Sequence, residues 1–378
     1  MLSNPNITIT PLPVPPKRPA SIPFILFAPF KVLYQVFHLV YLLGYGLPPA
    51  QWVLVQNPPS IPTLAIAGLI CRLRNSKLMI DWHNYGWTIL AGTRGPNHPL
   101  VHLSKLYECY LGRLGFFHLT VTEAMARQLR DAPYSIKNPM IPVHDRPAAI
   151  FQPITSPSAR ADALRRLLPD SEKDLVPRLL DGTMRLIVSS TSWTPDEDFS
   201  ILLDALTRYA NNDQTSTTPT PLLAVITGKG PQKEMYLRQI AELTKAGRLP
   251  NVRITTAFLP FADYAKLLAC ADLGICLHMS SSGVDLPMKV VDMFGAGLPV
   301  AAYSAYESFG ELVKEGENGR GFETAEGLAD ILTRVLGEDG RAELQALKRG
   351  AVREGSRRWD EEWDATVGLT MGFRKGRS

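Results

Sequence analysis

Lys289 and Asp292 are the side chains whose types and spacing argue most directly for chemistry. They lie three residues apart in a helix-compatible run that opens at Pro287, so an ammonium and a carboxylate project from one side and can reach one ligand together. The ammonium suits a phosphate and the carboxylate suits a ribose diol. The same two residues also read as a surface ion pair at a helix start, and their surroundings favour the ligand. The stretch from Ser281 to Ala301 confines its polar residues, Ser281 and Asp285 among them, to one loop and one helical turn between the apolar runs Leu273–His278 and Pro299–Tyr303. Such a loop meets its ligand at the carboxyl end of a parallel sheet. His278 closes the first run, where it suits a phosphate or sugar contact.

Three further groups carry chemistry. Gly228, Lys229 and Gly230 close one apolar run and open a helical one, which lets backbone N–H groups and one ammonium approach a diphosphate, or simply makes a turn. Ser192 and Thr194 can donate to phosphate oxygens or cap a helix beginning near Pro195. In the first half, Asp81 and His83 stand two apart at the end of an apolar run, on one face of a strand that persists that far. Either group can take a proton, or Asp81 can orient a basic His83. A buried His83 bonded to backbone is the structural alternative.

Two series of strands are needed to hold these residues. Trp52–Val55, Lys77–Trp82 and His118–Thr122 read as buried strands, separated by helices over Ile61–Leu73 and Pro99–Leu111. Met184–Val188, Leu222–Ile226, Val252–Thr256, Leu273–Leu277 and Pro299–Tyr303 start afresh, each followed by a helical pattern. The alternation predicts an α/β fold with parallel sheets wound by helices. The expected divisions are an extended or disordered segment over 1–22, a first Rossmann-like domain over 23–153, a connection over 154–183, a second Rossmann-like domain over 184–356, and a helix and tail over 357–378. Asn211 to Thr220 reads as a mobile polar insert. Trp359 and Trp363, four apart, put two rings on one helix face that docks on the body of the protein.

The apolar helix expected over 24–45 is interrupted only by Lys31, Gln35 and His38 on a narrow stripe. So thin a polar face predicts a helix buried between elements or lining a groove, ahead of one lying against a bilayer. Lys31 argues against an ordinary membrane span. Proline-rich residues 1–20 carry no signal-peptide pattern. With 40 basic and 36 acidic residues the net charge is +4, too small for a nucleic-acid footprint. The four cysteines form no C-x-x-C pair, which fits a reducing, cytosol-facing environment.

Several segments converge on one resemblance. Gln56-Asn-Pro-Pro-Ser-Ile-Pro-Thr63, Ile80-Asp-Trp-His-Asn-Tyr-Gly-Trp-Thr88, Val121-Thr-Glu-Ala-Met125, Asp145-Arg-Pro147, Ser190-Thr-Ser-Trp-Thr-Pro-Asp-Glu-Asp-Phe199, Thr227-Gly-Lys-Gly-Pro231 and Val284-Asp-Leu-Pro-Met-Lys-Val-Val-Asp-Met-Phe-Gly295 resemble the chitobiosyldiphosphodolichol β-mannosyltransferase family. The resemblance runs from about Pro23 to Trp363. It implies a GT-B fold, two Rossmann-like parallel-sheet domains facing a cleft. It also implies inverting transfer of mannose from GDP-mannose to GlcNAc2-diphosphodolichol, a β1,4 linkage, and a site on the cytosolic face of the endoplasmic reticulum membrane. The implied partners are the lipid-linked chitobiose acceptor, the membrane surface and other early mannosyltransferases of the pathway, with no nucleic acid. No tightly bound cofactor and no divalent cation is implied. Asp292 stands where related GT-B donor sites carry a ribose-binding glutamate. An inverting transfer needs a base, and Asp81 with His83 is the reservoir for it.

One departure accompanies the resemblance. The family's first domain opens with an anchor helix, a strand and a glycine-rich loop, and these are not found before Gln51, so the first domain is expected to be incomplete. That favours a second reading, a noncatalytic shortened paralogue that binds nucleotide sugar or associates with other mannosyltransferases; a third, a retaining GT-B transferase acting on another acceptor, is disfavoured by the apolar helix over 24–45, which suits a lipid-linked acceptor.

Overall fold

In the computed structural model, which describes residues 4–211 and 219–372, the two series of apolar runs form two separate parallel sheets. The chain divides into two units between Pro142 and Val143.

The first unit begins with α1 (Phe24–Tyr41) and a wider turn over Leu42–Gly46. It continues through β1 (Trp52–Asn57), α2 (Thr63–Arg74), β2 (Lys77–Trp82), α3 (Gly86–Arg94), α4 (Pro99–Leu111), β3 (Phe117–Thr120), α5 (Glu123–Arg130) and β4 (Met140–Pro142). The strands lie side by side in chain order, all parallel, which is the outcome of successive right-handed βαβ units. Local sequence sets the ends. Pro99 occupies the first turn of α4 behind a His98 cap, Asn75 takes the left-handed conformation that closes α2, and Thr122 caps α5 by accepting from Met125 N–H. Leu64, Met79, Ile80, Trp82 and Leu119 are fully or almost fully buried, at roughly 1.5–3 kcal/mol for each large side chain.

The apolar helix departs from the expectation of burial. None of the described side chains of α1 is buried, and Leu26, Phe30, Leu33, Phe37 and Tyr41 form an exposed stripe at spacings of three and four. A helix patterned for an apolar environment thus presents that stripe outward. The run Leu26–Gly46 is long and apolar enough to cross a membrane by length and composition.

The second unit contains α6 (Pro157–Leu167), α7 (Val176–Asp181), β5 (Arg185–Ser190), α8 (Phe199–Ala210), β6 (Leu222–Thr227), α9 (Lys233–Lys245), β7 (Val252–Ala257), α10 (Phe261–Cys270), β8 (Leu273–Cys276), α11 (Met288–Gly295), β9 (Val300–Tyr303), α12 (Phe309–Leu312), β10 (Gly319–Phe322), α13 (Ala325–Leu336), α14 (Arg341–Gly355) and α15 (Trp359–Trp363). Its six parallel strands run in the order β10-β9-β8-β5-β6-β7. The chain winds outward from β5 through β6 and β7, then returns to the other side of β5 with β8. The strand order therefore reverses between β5 and β8, and the loops leaving those two strands flank the crevice where doubly wound sheets bind ligands. Most of the expected polar insert after α8 falls at residues 212–218, outside the described residues.

Residues 143–153, expected with the first domain, pack within the second unit. The almost fully buried Arg146 guanidinium reaches Glu354 at 2.7 Å and Glu362 at 3.0 Å, and Arg358 donates to the carbonyls of Pro147, Ala148 and Phe151. Residues 154–183, expected as a connection, supply α6 and α7 of the same unit. The rings of Trp359 and Trp363 share one face of α15, 5.7 Å apart.

Candidate active site

At the crevice between β5 and β8, one buried carboxylate organises the loop after β5. Glu197 is 3% exposed and accepts from Ser192 N–H at 2.6 Å and from Ser192 Oγ at 2.9 Å. Lys289, in the first turn of α11, forms an ion pair with it. Burial alone would raise the Glu197 carboxyl, but the Lys289 charge and the hydrogen bonds from Lys289 and Ser192 hold it below its ordinary value. Thr194 Oγ1 lies 2.7 Å from Ser192 Oγ. Since the Ser192 proton goes to Glu197, Thr194 is the donor of that second bond. Ser192 and Thr194 are thus joined to the lysine of α11 through Glu197. They do not cap the next helix, which starts at Phe199 rather than near Pro195 and is capped by Asp198.

Lys289 does not pair with Asp292. Asp292 is half-buried one turn further along α11, and burial pushes its carboxyl up to about 7. Both residues face the β5 side: Lys289 reaches the loop after β5, and Asp292 lies close enough to Tyr264 for its charge to add to the burial that raises that phenol, whose hydroxyl is 2.9 Å from Ser190 Oγ. The surface ion pair between Lys289 and Asp292 is therefore not what the structure contains.

The turn after β6 owes its glycines to close packing. Gly228 has φ +126°, and a Cβ on it would lie 1.8 Å from the Thr191 carbonyl oxygen. A Cβ on Gly230 would lie 1.7 Å from that of Ser192. Only glycine lets this turn lie against the loop after β5. Lys229 sits with its ammonium 3.7 Å from the centroid of the Phe258 ring, a residue 62% exposed at the end of β7. On the β8 side, His278 Nε2 is 3.2 Å from Asp285 Oδ2, and Asp285, nearly buried, also has its carbonyl bonded by Ser308 Oγ at 2.7 Å. Ser281 is exposed in the same loop. The structure thus gathers Ser192, Thr194, Gly228, Lys229, Gly230, His278, Ser281, Asp285, Lys289 and Asp292 on the loops and the helix at the carboxyl ends of β5, β6 and β8.

The other pair belongs to the first unit. Asp81 Oδ2 and His83 Nε2 are 2.9 Å apart, both side chains partly open to solvent at 24% and 31% exposure. Between them Trp82 turns inward and donates its indole N–H to Nδ1 of the buried His118 at 3.0 Å, so strand alternation puts the acid and the imidazole together on the opposite face. His83 N–H also bonds the Asn57 carbonyl at 2.9 Å, which extends the β1–β2 ladder one residue past Trp82. The carboxylate therefore fixes the imidazole, as the orienting arrangement requires.

Three functional candidates escaped sequence reasoning. Glu197 sits inside the run Ser190–Phe199 without a signal of its own. Glu108 falls on the buried face of α4 with Val101 and Ser104, an anomaly that the helical pattern does carry. Phe258 is an exposed aromatic at a strand end, a pattern too common to select.

Two parallel α/β sheets, the second doubly wound with Lys289 and Asp292 on the helix beside its switch point, are the architecture of a glycosyltransferase of the GT-B class. Residues 184–338 match the model of the glycosyl transferases group 1 family. Anabaena Alr3699/HepE, solved in complex with UDP, shares the fold with a TM-score of 0.64 at 16% identity, over 91% of this chain and 82% of that one. Sucrose-phosphate synthase from Thermosynechococcus elongatus does so with a TM-score of 0.61 at 16% identity, over 93% and 79%. The chain belongs to the chitobiosyldiphosphodolichol beta-mannosyltransferase family. It is 51% identical to the protein of that name from Arthroderma benhamiae over 99% of this chain and 83% of that one, and 40% identical to the Mus musculus protein over 89% and 73%.

Proposed function

We propose that this chain transfers mannose from GDP-mannose to GlcNAc2-diphosphodolichol with inversion, forming a β1,4 linkage on the cytosolic face of the endoplasmic reticulum membrane. The observation that carries the proposal is the 51% identity, over 377 residues, to a protein named for mannosyl transfer to chitobiosyldiphosphodolichol.

In this reading Lys289 meets the donor diphosphate and Asp292 accepts from the ribose diol. Ser192, Thr194 and the turn over Gly228, Lys229 and Gly230 line the diphosphate, while His278, Ser281 and Asp285 face the sugar side. The acceptor hydroxyl attacks the anomeric carbon as the bond from that carbon to the phosphate oxygen breaks, and GDP leaves with the electron pair. The hydroxyl proton passes to the Asp81–His83 unit, where an imidazole held by a carboxylate is a stronger base than a free one. The exposed stripe of α1 supports membrane association, which suits an acceptor carried on a lipid.

The test is incubation of the full chain with GDP-mannose and a phytanyl-diphosphate chitobiose acceptor, with the product anomer read by NMR. A β-linked mannose is expected. An α-linked product, or none, overturns the proposal.

A further inference from the structure

Glu108, on α4, has no exposed surface, and a carboxylate so placed is costly unless donors serve its oxygens. Three donors converge on it. Oε2 accepts from Ser60 Oγ at 2.5 Å and from Gly86 N–H at 2.9 Å, and Oε1 accepts from the Tyr134 hydroxyl at 3.0 Å. The Tyr134 oxygen in turn accepts from the indole N–H of Trp87 at 3.0 Å. Ser60 lies in the loop after β1, with its hydroxyl also 2.8 Å from Asn57 Oδ1, and the Asn57 carbonyl is the group that holds His83 N–H. Gly86 and Trp87 open α3 directly after the acid–imidazole pair. A Cβ on Gly86 would lie 3.0 Å from Glu108 Oε2 and 3.1 Å from Ser60 Oγ, so the network closes around a residue without a side chain.

One side chain therefore ties the segment beyond His83 to the loop that fixes His83 itself. We propose that Glu108 is a positioning residue for the proton-accepting pair: through Gly86, Ser60 and Tyr134 it holds the segment from Asp81 to Trp87 in one orientation toward the acceptor. This rests on the reading of Asp81 and His83 as the base. A second acceptor oxygen is essential to the geometry, because three donors aim at the two oxygens and an amide offers only one. The bonds are within the first unit, whereas the proposed donor residues are all in the second, so the two functions separate experimentally.

Glu108→Gln in the full chain is expected to lower kcat at least tenfold per GDP-binding site, with the KM for GDP-mannose within twofold of wild type. Counting sites by GDP calorimetry corrects for any fraction whose second unit does not fold, and unchanged hydrogen exchange over the strand at residues 117–120 shows that the first unit is folded. Hydrogen exchange followed by mass spectrometry should show faster exchange in a peptide covering residues 83–90 and no change over 184–260. Gly86→Ala, which crowds the same oxygens without removing a hydrogen-bonding group, should move both readouts in the same direction by a smaller factor. Turnover per site within twofold of wild type, unchanged exchange over 83–90, or a loss of GDP sites that accounts for the whole loss of turnover would each overturn the assignment. Absence of transfer by the wild-type chain would instead strike the proposed function, and the exchange measurement would still decide whether Glu108 holds the segment.

Discussion

Replacing Asp292 with Asn should stabilise the ligand-free protein above neutral pH while weakening its grip on the donor. Burial raises this carboxyl from 3.8 to about 7, and at about 1.4 kcal/mol per pH unit the full effect would be about 4 kcal/mol. Asp292 is only half-buried, so solvent screening reduces the expected gain to roughly 1–2 kcal/mol. The sign follows from which state holds the proton. The unfolded carboxyl ionises near 3.8 and the folded one near 7, so over that interval the folded state binds the extra proton and stability falls as pH rises. The advantage of Asn should therefore be nearly absent at pH 4, grow up to pH 7 and level off above it. Thermal unfolding followed by circular dichroism at pH 8 should show a rise of roughly 3–6 °C for a unit of this size. Calorimetry with GDP-mannose, whose diphosphate diester does not titrate in this range, should show wild-type affinity falling toward tenfold per pH unit below 7, and the Asn variant weak and flat. A stability gain independent of pH means that burial is not what perturbs Asp292. Wild-type affinity flat from pH 6 to 8 means that its charge does not meet the donor.

Lys289→Ala should weaken GDP binding by about 1–3 kcal/mol, the scale of a charged hydrogen bond, and should also lower the melting temperature because it strands the buried Glu197; calorimetry showing unchanged affinity removes Lys289 from the donor site. His83→Ala or Asp81→Asn should reduce kcat by about 100-fold or more with GDP affinity nearly unchanged, and wild-type turnover in both would place the base elsewhere. The buried His118, lowered to about 4 chiefly by burial, binds its proton later than the unfolded chain does, so its contribution of about 3 kcal/mol is present above pH 6.5 and lost as pH falls toward 4. Its ring resonances should stay constant by NMR from pH 8 to 5, and a titration near 6.5 contradicts its burial. Because Phe30, Phe37 and Tyr41 are exposed on α1, changing all three to Ser should leave thermal stability close to wild type yet reduce recovery in liposome flotation; equal recovery would show that this stripe does not hold the membrane.

Much of the fold was legible where pattern and punctuation coincide. The Pro99–Leu111 helix and the Lys77–Trp82 strand appear with the residues that their sequence marks, because a proline in a first helical turn and a strand turning into Asp-Trp-His-Asn are both abrupt signals. Other strand ends move by one or two residues, as at Trp52–Asn57 and Arg185–Ser190. The strands Met140–Pro142 and Gly319–Phe322 were missed because they are three and four residues long, lie at sheet edges, and contain proline or glycine in place of an apolar run. The exposure of α1 was not legible for another reason: hydrophobic periodicity reports that a face wants an apolar neighbour, and it does not say whether the protein provides one.

The candidate site divides in the same way. Asp81 and His83 were legible as a pair because their separation is two residues along one strand, and alternation then decides their geometry. Lys289 was legible as a candidate cation for the site, but its partner lies 92 residues earlier, brought to it by the reversal of strand order beside β5. No local spacing carries that contact. The glycines at 228 and 230 show the opposite case, a motif whose presence is visible and whose reason is not. Their sequence suits a diphosphate cradle, yet each is already required by a carbonyl from residue 191 or 192 that leaves no room for a Cβ. Replacing either one would displace the loop that carries Ser192 and, through Glu197, the ammonium of Lys289. Loss of donor binding in a glycine variant therefore cannot by itself assign the turn to phosphate, whereas Lys229→Ala, which leaves the packing intact, can.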